Sequence, residues 1–416
     1  MLLPGLLSLL CLWLALVPQA RAQQPVQPHD TVYFTTGRKS IQIPFKLVHN
    51  LIVMPIKINN SNSLNFILDT GVRSTLITRL YYSDSLELNH TKRTQIRGLG
   101  SGYTIEAIIS SGNSLNLPGI IGENQEIYVL MEDIFNLSTR MGMPIHGIIG
   151  YDIFKNFVVK VNYSSKILTL YRPDLRLKKK RKAEEYPLHI ENEKAYVYAN
   201  VRQHNGDTLQ VKLVVDTGAS HTLSLYLPSN DKLELPPKTM EAYLGRGLSG
   251  DINGKIGRLP GFSMGRYELQ DLPASYPDEA SIKAALNIAN RNGNLGSDIL
   301  KRFTVIFDYP HKRLLLLPNS KYKVPFHFNM SGFEVSTPLP GVNFYEVSNV
   351  VPNSPATAAG VQNGDELVSI NGRSCFDLNL NEVLEVMESK PGRKLRLKLR
   401  RNGEVIDLVL VLQSRI

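Results

Sequence analysis

Phe66-Ile67-Leu68-Asp69-Thr70-Gly71 is an apolar strand sequence that ends in an Asp-Thr-Gly triplet, and the chain repeats it as Val214-Val215-Asp216-Thr217-Gly218-Ala219. An aspartate at the end of an apolar strand loses hydration that the protein interior does not replace, so it is costly unless it is hydrogen-bonded. A single triplet is a common turn sequence. Two triplets in matching surroundings, 147 residues apart, predict two copies of one unit whose aspartates meet.

The repeat continues beyond the triplets at a constant spacing. A glycine-rich segment, Gly98-Leu99-Gly100-Ser101-Gly102, begins 29 residues after Asp69, and Gly245-Arg246-Gly247-Leu248-Ser249-Gly250 begins 29 residues after Asp216. Residues 147–157 and 293–303 then share an apolar glycine motif followed by Asp-Ile. The segments before each triplet are rich in β-branched and aromatic residues that often alternate with polar ones, which predicts strands and a mainly β body.

Taken together, these motifs resemble the pepsin and retropepsin aspartic proteases over residues 46–320. The resemblance implies a two-lobed acid-protease β-barrel fold with a pseudo-twofold axis, in which Asp69 and Asp216 form one shared catalytic pair. It implies that Thr70 and Thr217 brace the two triplets through their hydroxyls, and that Gly71 and Gly218 leave room for substrate and for the opposite loop. It also implies two flaps over the substrate, formed at Gly98, Leu99, Gly100, Ser101 and Gly102 and at Gly245, Arg246 and Gly247.

Two adjacent carboxylates suit the hydrolysis of peptide bonds without a metal or a cofactor. Like charges so close do not both ionise easily, so the pair holds one proton over a wide pH range and supplies both a base and an acid. The residues after the triplets are Val72 and Ala219, where acid-acting members of the family carry Ser or Thr. We therefore expect a pH optimum in the mildly acidic to neutral range.

Other readings of the same motifs are weaker. The glycine-rich segments are flexible loops in the alternative interpretation, and neither opens a helix as a dinucleotide-binding motif requires. Residues 261–265 match Gly-x-Ser-x-Gly, but Pro260 and a strand-like continuation do not suit a nucleophile elbow. The sequence contains no His-Glu-x-x-His, and we expect no metal and no cofactor.

From residue 324 to 416 the pattern resembles a PDZ domain, through Ser-Pro-Ala at 354–356, Ala-Gly at 359–360, Gly-Asp at 364–365 and Ile-Asn-Gly at 370–372. The resemblance implies that an extended or C-terminal peptide binds between a strand at 344–350 and a helix at 379–389. The groove residues expected on this basis are Leu339, Gly341, Val342, Phe344 and Val383. Pro340 has no N–H to offer a terminal carboxylate, so carboxylate capture stays in doubt.

Residues 1–22 are typical of a signal peptide, with an apolar run followed by Ala20-Arg21-Ala22. A retained membrane anchor is the alternative, and membrane contact stays open. Cleavage there leaves Cys375 as the one cysteine, so no internal disulfide is possible. The signal peptide predicts export to a bacterial periplasm or cell envelope, or secretion, and the lack of a disulfide favours the bacterial envelope. Residues 23–45 are assigned to an N-terminal extension.

The formal charge of +10 includes a basic run at 178–182, within a linker at 173–188 between the lobes at 46–172 and 189–320. A solvated linker explains this run better than nucleic-acid binding, because no aromatic residues interleave with the charges. The sequence thus predicts a monomeric aspartic endopeptidase that acts on polypeptides, with a PDZ domain that recruits peptides. The alternatives are a catalytically silent peptide-binding protein and an envelope-anchoring protein that uses the basic linker.

Overall fold

The computed structural model describes residues 31–96, 104–248, 250–286 and 290–416. The expected signal peptide at 1–22 and the first glycine-rich segment at 98–102 lie outside the described residues. No helix in these ranges has the length and apolar character needed to cross a membrane. Strands predominate and the helices are short, which confirms the predicted mainly β fold.

The first half of the chain forms a nine-stranded sheet and contributes three strands to a second sheet. Its elements are β1 (Thr31–Phe34), β2 (Ser40–Pro44), β3 (Lys46–Val48), β4 (Leu51–Ile58), β5 (Leu64–Leu68), β6 (Thr75–Ile77), β7 (Thr91–Ile96), β8 (Ile105–Leu117), β9 (Ile120–Leu130), α1 (Leu137–Met141), β10 (Gly147–Ile149), α2 (Tyr151–Phe154), β11 (Val158–Asn162) and β12 (Ile167–Tyr171). The nine-stranded sheet runs β1-β9-β6-β10-β5-β4-β8-β7, and β3 pairs with β4.

The second half repeats this plan in an eight-stranded sheet. Its elements are β13 (Glu184–Pro187), β14 (His189–Glu191), β15 (Lys194–Arg202), β16 (Thr208–Val215), β17 (Leu223–Leu225), β18 (Thr239–Gly247), β19 (Gly250–Met264), β20 (Tyr267–Pro277), α3 (Glu279–Leu286), β21 (Gly293–Leu295), α4 (Ser297–Leu300), β22 (Phe303–Asp308) and β23 (Arg313–Pro318). The sheet runs β14-β15-β16-β21-β17-β20-β19-β18. In both halves the strand before the triplet pairs in parallel with the strand of the glycine motif, β5 with β10 and β16 with β21.

A six-stranded sheet joins the two halves, in the order β13-β23-β22-β11-β12-β2. Its centre is the antiparallel pair β11 and β22, in which Val161 lies opposite Val305. The ring centroids of Phe154 in α2 and Phe307 in β22 lie 5.1 Å apart, and neither side chain is exposed. The two lobes therefore share one hydrophobic core. Strand β2 also belongs to this sheet, although residues 23–45 were expected to form an N-terminal extension.

The C-terminal unit has its own core and a sheet of six strands. Its elements are β24 (Phe333–Ser336), β25 (Glu346–Val350), α5 (Pro355–Ala359), β26 (Glu366–Ile370), β27 (Arg373–Ser374), α6 (Leu380–Met387), β28 (Lys394–Arg401) and β29 (Glu404–Val411). The sheet runs β24-β25-β26-β28-β29, with β27 beside β26. Strand β25 has a neighbour on each side, and β24 and β29 are the two edge strands.

This topology corrects the peptide groove expected from the sequence. A peptide cannot add beside the strand at 344–350, because β25 already pairs with β24 and β26. Val383 is fully buried in the core of the C-terminal unit and does not line an open groove. The loop with Leu339, Gly341 and Val342 touches the first lobe instead, where Gly341 N donates to Gly142 O (3.0 Å), and Phe344 N donates back into the loop, to Val342 O (2.8 Å). Strand β24, and not the strand at 344–350, has an unpaired side within the described residues.

Candidate active site

Asp69 and Asp216 lie at the ends of β5 and β16, where each lobe holds its aspartate by the same backbone contact. Asp69 N donates to Ile149 O (2.8 Å), and Asp216 N donates to Leu295 O (2.9 Å). The acceptors belong to the two glycine motifs, β10 and β21. The parallel pairing of strand and motif therefore fixes the start of each triplet loop.

The two threonines of the triplets bond across the lobe boundary. Thr70 N donates to Thr217 Oγ1 and Thr217 N donates to Thr70 Oγ1, both at 3.0 Å. The hydroxyls then donate onward to the opposite lobe, from Thr70 to Val215 O and from Thr217 to Leu68 O. Both threonines are buried. Each hydroxyl thus uses its one proton and accepts one N–H, which leaves this closed ring of hydrogen bonds fully satisfied.

The two carboxylates converge on the glycines of the triplets. Gly71 N donates to Asp69 Oδ1 (2.6 Å), and Gly218 N donates to Asp216 Oδ1 (3.1 Å). A Cβ on Gly71 would lie 3.0 Å from Asp69 Oδ1 and 3.3 Å from Asp216 Oδ1. A Cβ on Gly218 would lie 2.2 Å from Asp69 Cγ, which no side chain tolerates. Glycine is required here so that both carboxylates occupy one small space.

The environment of Asp69 favours its protonated form. Burial and the neighbouring charge of Asp216 raise the pKa of Asp69 to about 8, against the opposing effects of the Gly71 N–H and of the Lys194 charge. Lys194 begins β15 and lines the same cavity as the two aspartates. A proton on Asp69 removes one of the two negative charges that would otherwise face each other across the pair.

Asp216 has a hydrogen-bond donor that Asp69 lacks. Asn294 Nδ2 donates to Asp216 Oδ2 (2.7 Å), and Tyr226 OH donates to Asn294 Oδ1 (3.0 Å). The guanidinium of Arg291 in turn donates to Tyr226 OH (2.8 Å), and all three supporting side chains are buried. An amide donor bonds a carboxylate more strongly than a carboxylic acid, so this chain of contacts favours charge on Asp216.

Sequence reasoning missed Asn294, although the sequence contained a signal. The glycine motif of the first lobe carries Ile148 at the position where the second lobe carries Asn294. A polar residue at a position that is apolar in the first lobe indicates that the motif of the second lobe also makes a side-chain hydrogen bond. The absence of a hydroxyl at Val72 and Ala219 therefore does not leave Asp216 without a side-chain donor.

A cleft of about 1680 Å³ opens over the two aspartates. Its lining includes Gly245, Arg246 and Gly247, at the tip of the hairpin formed by β18 and β19. Tyr243 on that hairpin accepts a hydrogen bond from Arg140 of α1 (2.8 Å), so the hairpin of the second lobe reaches the first. The other expected flap, Gly98, Leu99, Gly100, Ser101 and Gly102, lies outside the described residues, between β7 and β8.

Two family models match this chain. The model of the aspartyl protease family matches residues 54–153 and again residues 199–299. The model of the PDZ domain matches residues 346–401. Among curated proteins, the carboxy-terminal processing protease CtpA of Bacillus subtilis is 36% identical over 53 residues, which is 13% of this chain and 11% of that protein. The chain therefore spans about a tenth of the length of this relative.

Two solved structures are also similar. The aspartic proteinase from Irpex lacteus matches with a TM-score of 0.42 and 12% sequence identity, covering 68% of this chain and 99% of that chain. The HtrA3 PDZ domain bound to a phage-derived ligand matches with a TM-score of 0.15 and 29% identity, covering 17% of this chain and 59% of that chain.

The raised pKa of Asp69 predicts a variant that is more stable than the natural protein. Below about pH 4, Asp69 is protonated in both the folded and the unfolded chain, so it does not lower the free energy of unfolding. As the pH rises toward 8, the unfolded chain ionises while the folded one resists, so stability is lost. We expect Asp69→Asn to raise the melting temperature of the lobes by about 3 °C at pH 7.5 and by much less at pH 4.

Calorimetry at both pH values measures this difference. Asp407→Asn, at an exposed carboxylate of the C-terminal unit, is the matched control and should leave the melting temperature unchanged. Destabilisation by Asp69→Asn at pH 7.5 would show that the carboxyl is not held in an unfavourable environment.

Proposed function

We propose that this chain is an aspartic endopeptidase, because residues 54–153 and 199–299 match the model of the aspartyl protease family and residues 346–401 match that of the PDZ domain. The observation that carries the proposal is the convergence of Asp69 and Asp216 at Gly71 and Gly218, with a donor from Asn294 to one carboxylate alone. This asymmetry separates a base from an acid within one pair of identical side chains.

Each aspartate then has a defined task in the proposed reaction. A water between the carboxylates gives a proton to ionised Asp216 as its oxygen attacks the carbonyl carbon of the substrate. Asp69 gives its own proton to the carbonyl oxygen, so a neutral tetrahedral intermediate forms. As that intermediate collapses, the proton on Asp216 passes to the leaving nitrogen and Asp69 recovers a proton from the intermediate. The C–N bond breaks, and the pair returns to its starting state.

The cleft suits an extended polypeptide. Residues of both lobes line it, and the β18–β19 hairpin can cover a bound chain and exclude water from the reaction. Backbone pairing holds an extended segment without regard to sequence, and the side-chain pockets then select among substrates. The PDZ domain adds a second peptide-binding element in the same chain, for recruitment of a polypeptide partner.

Cleavage of an unstructured protein from pH 3 to 9 tests the proposal. The chain starting at Gln23 is compared with Asp69→Asn and Asp216→Asn, and we expect each substitution to reduce kcat by at least about a thousandfold because neither carboxylate works alone. Inhibition by a statine-type transition-state analogue is expected for the natural sequence. If the natural sequence and both variants are equally inactive while peptides still bind the PDZ domain, the chain is a peptide-binding protein.

The role of Asn294 is tested by Asn294→Ile, which installs the residue of the first lobe. Loss of the donor makes charge on Asp216 less favourable, so the acidic limb of the kcat/KM profile should move up by about one pH unit. The basic limb, set by Asp69 losing its proton, should stay near pH 8. Tyr226→Phe removes the hydroxyl that orients Asn294 and should shift the acidic limb in the same direction by less. An unchanged acidic limb in Asn294→Ile would rule out this role.

A further inference from the structure

The cleft that contains the two aspartates is also lined by the PDZ domain. The lining includes Glu334, Val335 and Ser336 of β24, together with Leu384 and Glu388 at α6. We call these five residues the PDZ wall. Since one continuous cavity touches Asp69, Asp216 and this wall, a chain bound at the aspartates can extend onto the PDZ domain without leaving the cleft.

The part of the PDZ wall that β24 forms lies at an edge of the C-terminal sheet. Strand β24 pairs with β25 on one side, and within the described residues no strand pairs with its other side. Its C-terminal end is anchored to the first lobe, because Thr337 N donates to Thr139 O (3.0 Å). Edge strands of this kind accept an extended peptide as an added strand. The anchor keeps the edge at a constant position relative to the aspartates.

The side chains of the PDZ wall give it a charge opposite to that of the whole protein. The chain carries 47 basic and 37 acidic residues, yet the wall presents Glu334 and Glu388 and no basic side chain. Across the part of the chain that the structure describes, neither carboxylate takes part in an ion pair. Partial burial in the cleft raises the pKa of Glu388 to about 7, so a cation bound beside it would complete its ionisation.

The basic residues whose charges act on these carboxylates already have other hydrogen-bond partners. Lys301 is the strongest charge acting on Glu388, but its Nζ lies 2.6 Å from Asp298 Oδ1 and donates to Asn50 Oδ1 at 2.8 Å. Arg140 is the charge acting on Glu334, and its guanidinium donates to Tyr243 OH. The two carboxylates are therefore available to a basic group that arrives with a ligand.

We propose that the PDZ wall is a substrate-binding site continuous with the active site, which holds an extended segment of the same polypeptide and selects Lys or Arg side chains opposite Glu334 and Glu388. The proposal rests on the proposed endopeptidase function and adds the substrate class, polypeptides with basic residues at a fixed distance from the cleaved bond. Binding at two places on one chain makes the second contact intramolecular, so its effect falls mainly on KM.

Cleavage-site mapping tests this selection without assuming the direction of the bound chain. The enzyme is given a peptide library made by Glu-specific digestion of a proteome, and mass spectrometry locates the cut bonds. We expect Lys and Arg to be enriched at a constant displacement from the cut, and this enrichment to disappear in the double variant Glu334→Gln/Glu388→Gln. Glu404→Gln, at an exposed carboxylate on β29 away from the cleft, is the control and should retain the enrichment.

A matched pair of peptides then gives the magnitude of the preference for a basic side chain. For a good substrate from the library, changing its enriched Lys to Gln should raise KM about fivefold with little change in kcat, and the double variant should no longer distinguish the two peptides. Cleavage without basic enrichment, or enrichment that survives in the double variant, would overturn the PDZ-wall proposal while leaving the endopeptidase function intact.

A binding measurement keeps the proposal testable if no peptide is cleaved, a result that would count against the endopeptidase function itself. Fluorescence anisotropy with full-length Asp216→Asn compares a labelled extended peptide containing Lys with its Gln counterpart. Preference for the Lys peptide that is lost on adding Glu334→Gln and Glu388→Gln supports the PDZ wall. Equal affinity for the two peptides contradicts it.

Discussion

The whole arrangement depends on keeping two carboxyl groups in a space that two negative charges cannot share. The ring of hydrogen bonds between Thr70 and Thr217 ties the two triplets together at the point of repulsion. Behind it, the six-stranded sheet combines strands of both lobes, so neither lobe can rotate away without breaking the β11–β22 pairing. The folded state tolerates the repulsion between the two carboxyl groups because many buried apolar contacts and satisfied hydrogen bonds oppose separation of the lobes.

The two lobes share a backbone plan and differ in the side chains that decide charge. Both hold an aspartate through its N–H to the glycine motif, and both offer a glycine N–H to one carboxylate oxygen. Only the second lobe adds Asn294, oriented by Tyr226. Symmetric backbones bring the two carboxyl groups together, and one asymmetric side chain distinguishes their surroundings.

The sequence was sufficient to predict the features that the two lobes have in common. The two triplets, their strands and the mainly β class follow from matched spacing and alternation, because a repeated pattern of apolar residues has few structural solutions. The groove of the PDZ domain was predicted on the wrong strand, because sequence order does not reveal whether β24 or β25 forms the sheet edge. The polar residue Asn294 in an otherwise apolar repeat was a signal for a side-chain contact, but the sequence did not identify Asp216 as its partner. The position of the PDZ wall in the cleft was not predictable, because it depends on how the C-terminal unit packs against the lobes and no repeat reports that packing.

Titration of labelled carboxyls directly measures the protonation state of the aspartate pair. The chain is produced with carboxyl-¹³C aspartate, and Asp69→Asn and Asp216→Asn assign the two resonances. We expect Asp69 to titrate near pH 8 in the natural sequence and at distinctly lower pH in Asp216→Asn, where the neighbouring charge is gone. Titration of Asp69 near its ordinary value of 3.8 in both proteins would contradict it.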